Sequence, residues 1–125
     1  MRFSTGIPLI VPDLEITGPR GSVWVDMILD TGSAFTTISW SDLKAIGYDP
    51  AIIADRQGIM TANGIIQAPK MRVSSITIGD LRAHEVEVIC LDIPGLAGIR
   101  GLLGLSFLKH FKIMIDYKLN YFEII

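Results

Sequence analysis

Three observations predict a mainly β chain. Val23, Val25, Met27 and Leu29 alternate with Trp24, Asp26 and Ile28, the period of a largely buried strand. Turn signals at Gly18-Pro19-Arg20-Gly21, Thr61-Ala62-Asn63-Gly64 and Gly79-Asp80 each separate two apolar or β-branched runs. Only two short segments carry apolar residues at helical spacing.

Composition sets the frame. The 125 residues are expected to form one domain, residues 1–125, long enough to bury about two-thirds of the unfolded surface. Half the residues are hydrophobic and 19% are charged, which excludes a disordered chain. A net charge of −2, with Lys and Arg scattered, gives no electrostatic case for nucleic acid. No apolar run approaches the roughly 20 residues of a membrane span, and the N-terminus does not read as a signal peptide. Cys90, the one cysteine, excludes an internal disulfide; with His84 and His110 it makes a poor metal set, so no metal and no cofactor are expected. Cys90 lies in the run Val86 to Leu91 and reads as a small core residue. The expected compartment is the cytoplasm.

In chain order, Phe3 to Val11 reads as an edge strand or arm, broken by Pro12 and Asp13. Leu14 to Thr17 and Ser22 to Leu29 form a hairpin whose second strand delivers Asp30. Thr36-Thr37-Ile38 continues as strand. Ser39 or Ser41 caps a short helix over Asp42 to Ile46, closed by Gly47. Ile52 to Met60 and Ile65 to Val73 flank the Asn63-Gly64 signal and predict a projecting hairpin, with Gly58 a candidate bulge. Ser75 to Ile78 and Ala83 to Leu91 predict another hairpin, closed by Ile93-Pro94-Gly95, with His84 solvated or at the core edge. Gly95, Gly98, Gly101 and Gly104 then recur at intervals of three, without the order or the Lys-Ser/Thr ending of a phosphate loop. Gly101-Leu102-Leu103-Gly104 is a short strand boxed by glycines, where two backbones or a ligand approach closely. Leu105 to Phe111 reads as a short helix, and Lys112 to Tyr117 with Tyr121 to Ile125 as a last hairpin. About nine strands and two short helices result.

The chemistry converges on Asp30-Thr31-Gly32-Ser33. A carboxylate ending a buried strand is costly unless it is hydrogen-bonded or put to use. Gly32 allows a sharp turn and close approach, and Thr31 and Ser33 place two hydroxyls beside it. The same tetrapeptide also suits an Asx-type turn joining two strands. Ser106 lacks the closing glycine of a nucleophile elbow. Asp26, Asp92 and Asp116 read as surface or hydrogen-bonding residues, which leaves Asp30 without the second carboxylate of a glycosidase pair. A lone carboxylate cannot act as base and acid in one step.

Asp30-Thr31-Gly32-Ser33, preceded by an apolar strand and followed by Ala34 and a β run, resembles the active-site loop of aspartic peptidases. Gly101-Leu102-Leu103-Gly104-Leu105-Ser106-Phe107-Leu108 is similar to that family's second signature, and the Asn63-Gly64 hairpin lies between them where the family has its flap. Order, spacing and length resemble the single-lobed retropepsin-like branch over nearly the whole chain. The tip has one glycine and no tyrosine, unlike retroviral flaps, and the hairpin from Lys112 to Ile125 looks more like bacterial and archaeal members than viral ones.

The resemblance implies an all-β, closed-barrel acid-protease fold with a flap hairpin and one or two short helices. It implies a two-fold homodimer in which each chain supplies one Asp30 to a shared site acting on a polypeptide. By the same resemblance Thr31 holds the two loops together across the dimer axis, Gly32 offers its carbonyl to substrate, and Ser33 orients the Asp30 carboxylate. Met60, Thr61, Ala62, Asn63 and Gly64 would close over the peptide. Ala34, Leu102 and Leu103, with Leu29 and Ile38, would line apolar pockets or the core beneath. The expected function is aspartic endopeptidase. A peptide- or partner-binding module without turnover and a dimeric assembly domain are the alternatives.

Overall fold

The computed structural model describes residues 1–4, 6, 8–93 and 98–125. Ten strands, two short α-helices and a 3₁₀ turn are present among them. The strands are β1 (Arg2–Ser4), β2 (Ile10–Gly18), β3 (Gly21–Leu29), β4 (Thr36–Ile38), β5 (Arg56–Thr61), β6 (Gly64–Ile78), β7 (Leu81–Cys90), β8 (Ile99–Leu103), β9 (Ile113–Asp116) and β10 (Tyr121–Ile124). The helices are α1 (Trp40–Ala45) and α2 (Leu105–Leu108).

Six strands close on themselves in the order β2-β3-β8-β4-β7-β6, with β6 returning to β2 through Glu15↔Thr77, Ile16↔Ile76 and Thr17↔Ser75. Closure removes the free sheet edges of these six strands. The β3–β8 and β4–β7 pairs are parallel, and the other pairs around the barrel are antiparallel. β5 lies outside the closed ring, paired only to β6. The alternation along β3 buries Val25, Met27 and Leu29, which join Leu14, Ile16, Ile76, Val86, Val88, Leu103 and Phe107 in the core. A separate sheet, β1-β10-β9, contributes Phe122 and Ile124 to the same core, with Phe3 stacked on Phe122 at 4.9 Å.

Several elements differ from their sequence-based bounds. Pro12 and Asp13 do not break the second strand but form a bulge: pairing passes from Val11↔Met27 to Leu14↔Val25 with one extra residue. Asp13 takes φ 54, and its N–H is held by Asp26 Oδ1 at 3.0 Å. The edge segment at Phe3 ends at Ser4 and pairs with β10; Thr5 and Ile7 of the predicted arm lie outside the described residues. The two runs around Ser74 are one 15-residue strand, β6, because its outer half pairs with β5 while its inner half pairs with β7 and β2. Ile52 belongs to the 3₁₀ turn Pro50–Ile52, capped by the Asp49 side chain on Ala51 N, so β5 starts only at Arg56. The projecting hairpin turns at Ala62-Asn63, with Thr61 opposite Gly64 at φ 114, and Gly58 pairs in register with Gln67 and makes no bulge.

Helix α1 is capped by Ser39, whose Oγ accepts from Asp42 N. It ends in a Schellman arrangement: Gly47 N–H donates to Lys44 O and Tyr48 N–H to Leu43 O, with Gly47 at φ 104. Asp42 is buried, accepts from Ser39 Oγ and pairs with Arg100 of β8 at 3.3 Å. Helix α2 is a single turn, and Lys109 to Phe111 continue as turn. Pro94 and Gly95, expected to close β7 and begin the glycine series, lie outside the described residues.

The two later glycines sit where backbones touch. A Cβ on Gly101 would overlap the Thr37 carbonyl oxygen and stand 2.6 Å from the Met27 methyl. One on Gly104 would overlap the Phe35 carbonyl oxygen and stand 2.7 Å from that of Ser33. Both are backbone obstacles with no freedom to rotate aside. Gly104→Ala is therefore expected to cost about 3 kcal/mol and to lower Tm by roughly 10 °C in thermal unfolding followed by circular dichroism. Cys90 is 1% exposed, and burial, reinforced by Asp92, pushes its thiol up to about 12, against a smaller opposing pull from Arg56. The nucleophilic thiolate is then almost absent near neutral pH. Iodoacetamide at about pH 8 is expected to leave Cys90 unlabelled in the folded chain and to label it fully in denaturant, read by intact mass.

Candidate active site

β3 delivers Asp30 at its end, where Leu29 N–H donates to Leu9 O at 2.8 Å and Asp30 N–H to Leu103 O at 2.9 Å. The main chain at Asp30 is thus fixed from both sides by barrel backbone, while the residue remains partly exposed. Its Oδ1 accepts from Gly32 N–H at 3.0 Å, and Ser33 N–H donates to Asp30 O at 3.3 Å, closing a tight turn. Asp30 makes no ion pair among the described residues. Thr31 and Gly32 are exposed at the tip of the turn. Ser33 Oγ donates to Phe35 O at 2.8 Å, and the hydrogen bond to the carboxylate comes from Gly32 N–H.

The loop is clamped to the start of α2. Leu105 N–H donates to Ser33 O at 2.8 Å and Ser106 N–H to Ala34 O at 3.0 Å. Beneath them Ser106 Oγ accepts from Thr36 N–H and donates to Thr36 Oγ1, both at 3.0 Å, while Gly104 N–H donates to Thr36 Oγ1 at 3.2 Å. Thr36 and Ser106 are buried, and this network leaves neither hydroxyl oxygen without a partner. The sequence marked Thr36 as strand and Ser106 as part of a short helix and of the second signature, with no link between the two hydroxyls. The available signal was a hydroxyl in each of the two motifs, set among apolar neighbours that would bury it.

A cavity of about 340 Å³ lies beside the loop. Gly32, Ser33, Ala34 and Leu102 form one side, and Gln57, Gly58, Ile59 and Met60 of β5 form another. No charged side chain lines it. Of the sequence-predicted binding residues, Gly32, Ser33, Ala34, Met60 and Leu102 meet here. Thr61, Ala62, Asn63 and Gly64 stand at the hairpin tip outside it, and Leu103 is fully buried in the core. The tip is braced by Thr61 Oγ1, which donates to Gly64 O at 2.7 Å and accepts from Asn63 N–H at 3.3 Å. Met60 is 81% and Ile65 66% exposed, so the hairpin carries apolar side chains with nothing packed on them.

Two further aspartates brace local backbone: Asp92 Oδ1 accepts from Trp40 N–H at 3.0 Å and Asp116 Oδ1 from Leu119 N–H at 2.9 Å. Among the described residues no three His, Cys, Asp or Glu side chains converge as metal ligands, and no helix is long and apolar enough to cross a membrane.

Comparison with known proteins agrees with this geometry. Residues 17–110 match the family described as "gag-polyprotein putative aspartyl protease". A Sinorhizobium protein described as an uncharacterized protein in the cobV 5′ region is 30% identical over 90 residues, covering 72% of this chain and 38% of that protein's length. A retropepsin-like aspartic protease from Rickettsia conorii superposes with a TM-score of 0.63 at 23% identity, covering 90% of this chain and 96% of that one. The EIAV protease, solved with the inhibitor HBY-793, superposes with a TM-score of 0.52 at 16% identity, covering 88% of each chain. With its barrel, its Asp-Thr-Gly-Ser loop and a match that spans both, the chain belongs to the gag-polyprotein aspartyl protease family and has the retropepsin-like fold.

Proposed function

We propose that residues 1–125 act as an aspartic endopeptidase domain that works as a homodimer, with Asp30 of each copy in one shared site. The observation that carries this reading is Asp30 itself: partly exposed at the end of a backbone-fixed strand, its carboxylate held by one N–H, in a loop whose next residues, Gly32 and Ser33, line the cleft. A two-fold axis through the exposed Thr31-Gly32 tip would bring two such carboxylates together as an isologous contact requires. At hydrogen-bonding distance they cannot both ionise, so they share one proton, and the titration belongs to the pair.

The ionised member takes a proton from a water molecule held between the two. The protonated member donates to the scissile carbonyl oxygen, and the water attacks the carbonyl carbon to give a tetrahedral diol. The carboxyl that now holds the proton donates it to the amine nitrogen while the other carboxylate takes a proton from a diol hydroxyl; the C–N bond breaks, amine and carboxylic acid leave, and the pair again holds one proton. In this reading the β5–β6 hairpin is the flap. Its exposed Met60 and Ile65 become covered when an extended peptide lies between it and the Asp30 loop, paired as an added strand. Thr31 bridges the two loops across the axis, and Gly32 O accepts from substrate backbone. The reduced, buried Cys90 suits a cytoplasmic setting.

The test is cleavage of a diverse peptide mixture, read by mass spectrometry, with wild type and Asp30→Asn run at high protein concentration. Asparagine keeps an oxygen for Gly32 N–H but cannot act as base. Turnover is therefore expected to fall at least about 1,000-fold with little change in Tm. Cuts by both proteins would place the chemistry elsewhere, and a folded dimer that makes none in either would turn the reading to a peptide-binding module. Wild-type kcat/KM is expected to follow a bell-shaped pH profile with its maximum below neutral, since the pair loses function on gaining or losing its proton; a flat profile between about pH 3 and 9 would remove the shared-proton mechanism. Specific activity is also expected to fall on dilution, because one chain holds half a site. Asn63→Pro, at the second turn position where proline is disfavoured, is expected to lower turnover more than Tm.

A further inference from the structure

A second and larger cavity, of about 650 Å³, adjoins the cleft: Ala34 and Phe35 line both. Its far walls come from β6, β7 and the turn after α2. The cleft has no charged lining, whereas this cavity is lined by six titratable or charged side chains. Two of them, Arg72 and Glu87, are paired at 3.3 Å and largely cancel. The others are Lys109 and His110 after α2, and His84 and Glu85 on β7. At the seam the Lys70 ammonium stands over the Phe35 ring, 5.4 Å from its centroid. Neither Lys70 nor Lys109 makes an ion pair among the described residues. Lys109 offsets Glu85 within the cavity, and Lys70 at the seam leaves one positive charge in excess there.

We infer that this cavity is a distal subsite of the peptide groove, built to take an acidic substrate side chain beyond the apolar residues that flank the scissile bond. The inference rests on the endopeptidase reading above. An extended peptide advances about 3.3 Å per residue and turns alternate side chains to one face, so a chain crossing the cleft carries its outer residues past Phe35. In a two-fold dimer the same cavity recurs at the other end of the groove. Acidic residues are therefore selected on both sides of the cut, and lysine is disfavoured on both.

The experiment uses matched peptides of about eight residues, apolar at the centre, with Glu, Ala or Lys at the third and fourth positions from the centre on either side. Cleavage by wild type is expected to favour Glu over Lys about tenfold in kcat/KM at pH 5. The same peptides, fluorescently labelled, are titrated onto Asp30→Asn by anisotropy. Binding is expected to show the same order. Lys109→Glu, at an exposed position, is expected to bring the ratio below one. Equal cleavage and equal binding of all three peptides, or a ratio indifferent to Lys109→Glu, would overturn the subsite. Charge-selective binding without cleavage by wild type would instead overturn the endopeptidase reading and leave the acidic preference of the groove standing.

Discussion

The hydrogen-bonded clamp between the Asp30 loop and the start of α2 is the constraint on which the rest of this structure depends. A barrel strand that ends in an unpaired carboxylate would normally fray, because loop backbone needs partners and a half-exposed charge prefers water. Here Leu103 O, Leu105 N–H and Ser106 N–H take up the loop backbone, and the Thr36–Ser106 hydroxyl pair fills the space below. These bonds form only if the two segments approach to backbone contact. That approach is why a glycine stands at 104, against Phe35 and Ser33, and another at 101, against Thr37. The site and the barrel are consequently one object: parallel pairing of β3 with β8 brings the two signature segments side by side, and the hydroxyl network locks them.

The same geometry separates the rigid from the exposed parts of the molecule. The loop that presents Asp30 is tied on every side, whereas β5 and the outer half of β6 leave the barrel as a two-stranded ribbon. Its tip is held by local bonds from Thr61 and by the turn itself, and it carries uncovered Met60 and Ile65. An isolated ribbon of this kind has little burial to hold it in one place. Such a division, a fixed carboxylate beside a loosely anchored apolar ribbon, is what the proposed peptide groove would require. The change from an uncharged inner cleft to a charged outer cavity across Phe35 gives that groove a chemical direction from its centre outward.

Much of this was legible in the residues. The alternation in β3 buries Val25, Met27 and Leu29 and leaves Val23 partly buried, the hairpins at Pro19-Arg20 and Gly79-Asp80 form at their predicted turns, and Cys90 sits in the core. The glycines at 101 and 104 do mark close backbone approach. The misplacements share a physical cause. Pro12 and Asp13 carry breaker chemistry, but Asp26 on the neighbouring strand accepts the Asp13 N–H and turns a break into a bulge. Ser74 and Ser75 look like a strand boundary, yet three neighbouring strands pair along different parts of β6 and keep it continuous. Glycine in the Asn63-Gly64 signal does supply positive φ, but at the first residue of β6 and not within the two-residue loop.

By itself, then, the sequence determined what depends on near neighbours: strand periodicity, turn chemistry, helix caps and the Asp-Thr-Gly-Ser motif that marks the family. Only the tertiary structure decided what depends on residues far apart in the chain. It set Thr36 against Ser106 across an interval of 70 positions, paired the buried Asp42 with Arg100, placed Lys70 over Phe35, and put Leu102 in the cleft while burying Leu103 in the core. Those relations follow from barrel closure and strand register, which are fixed by how all six strands pack at once.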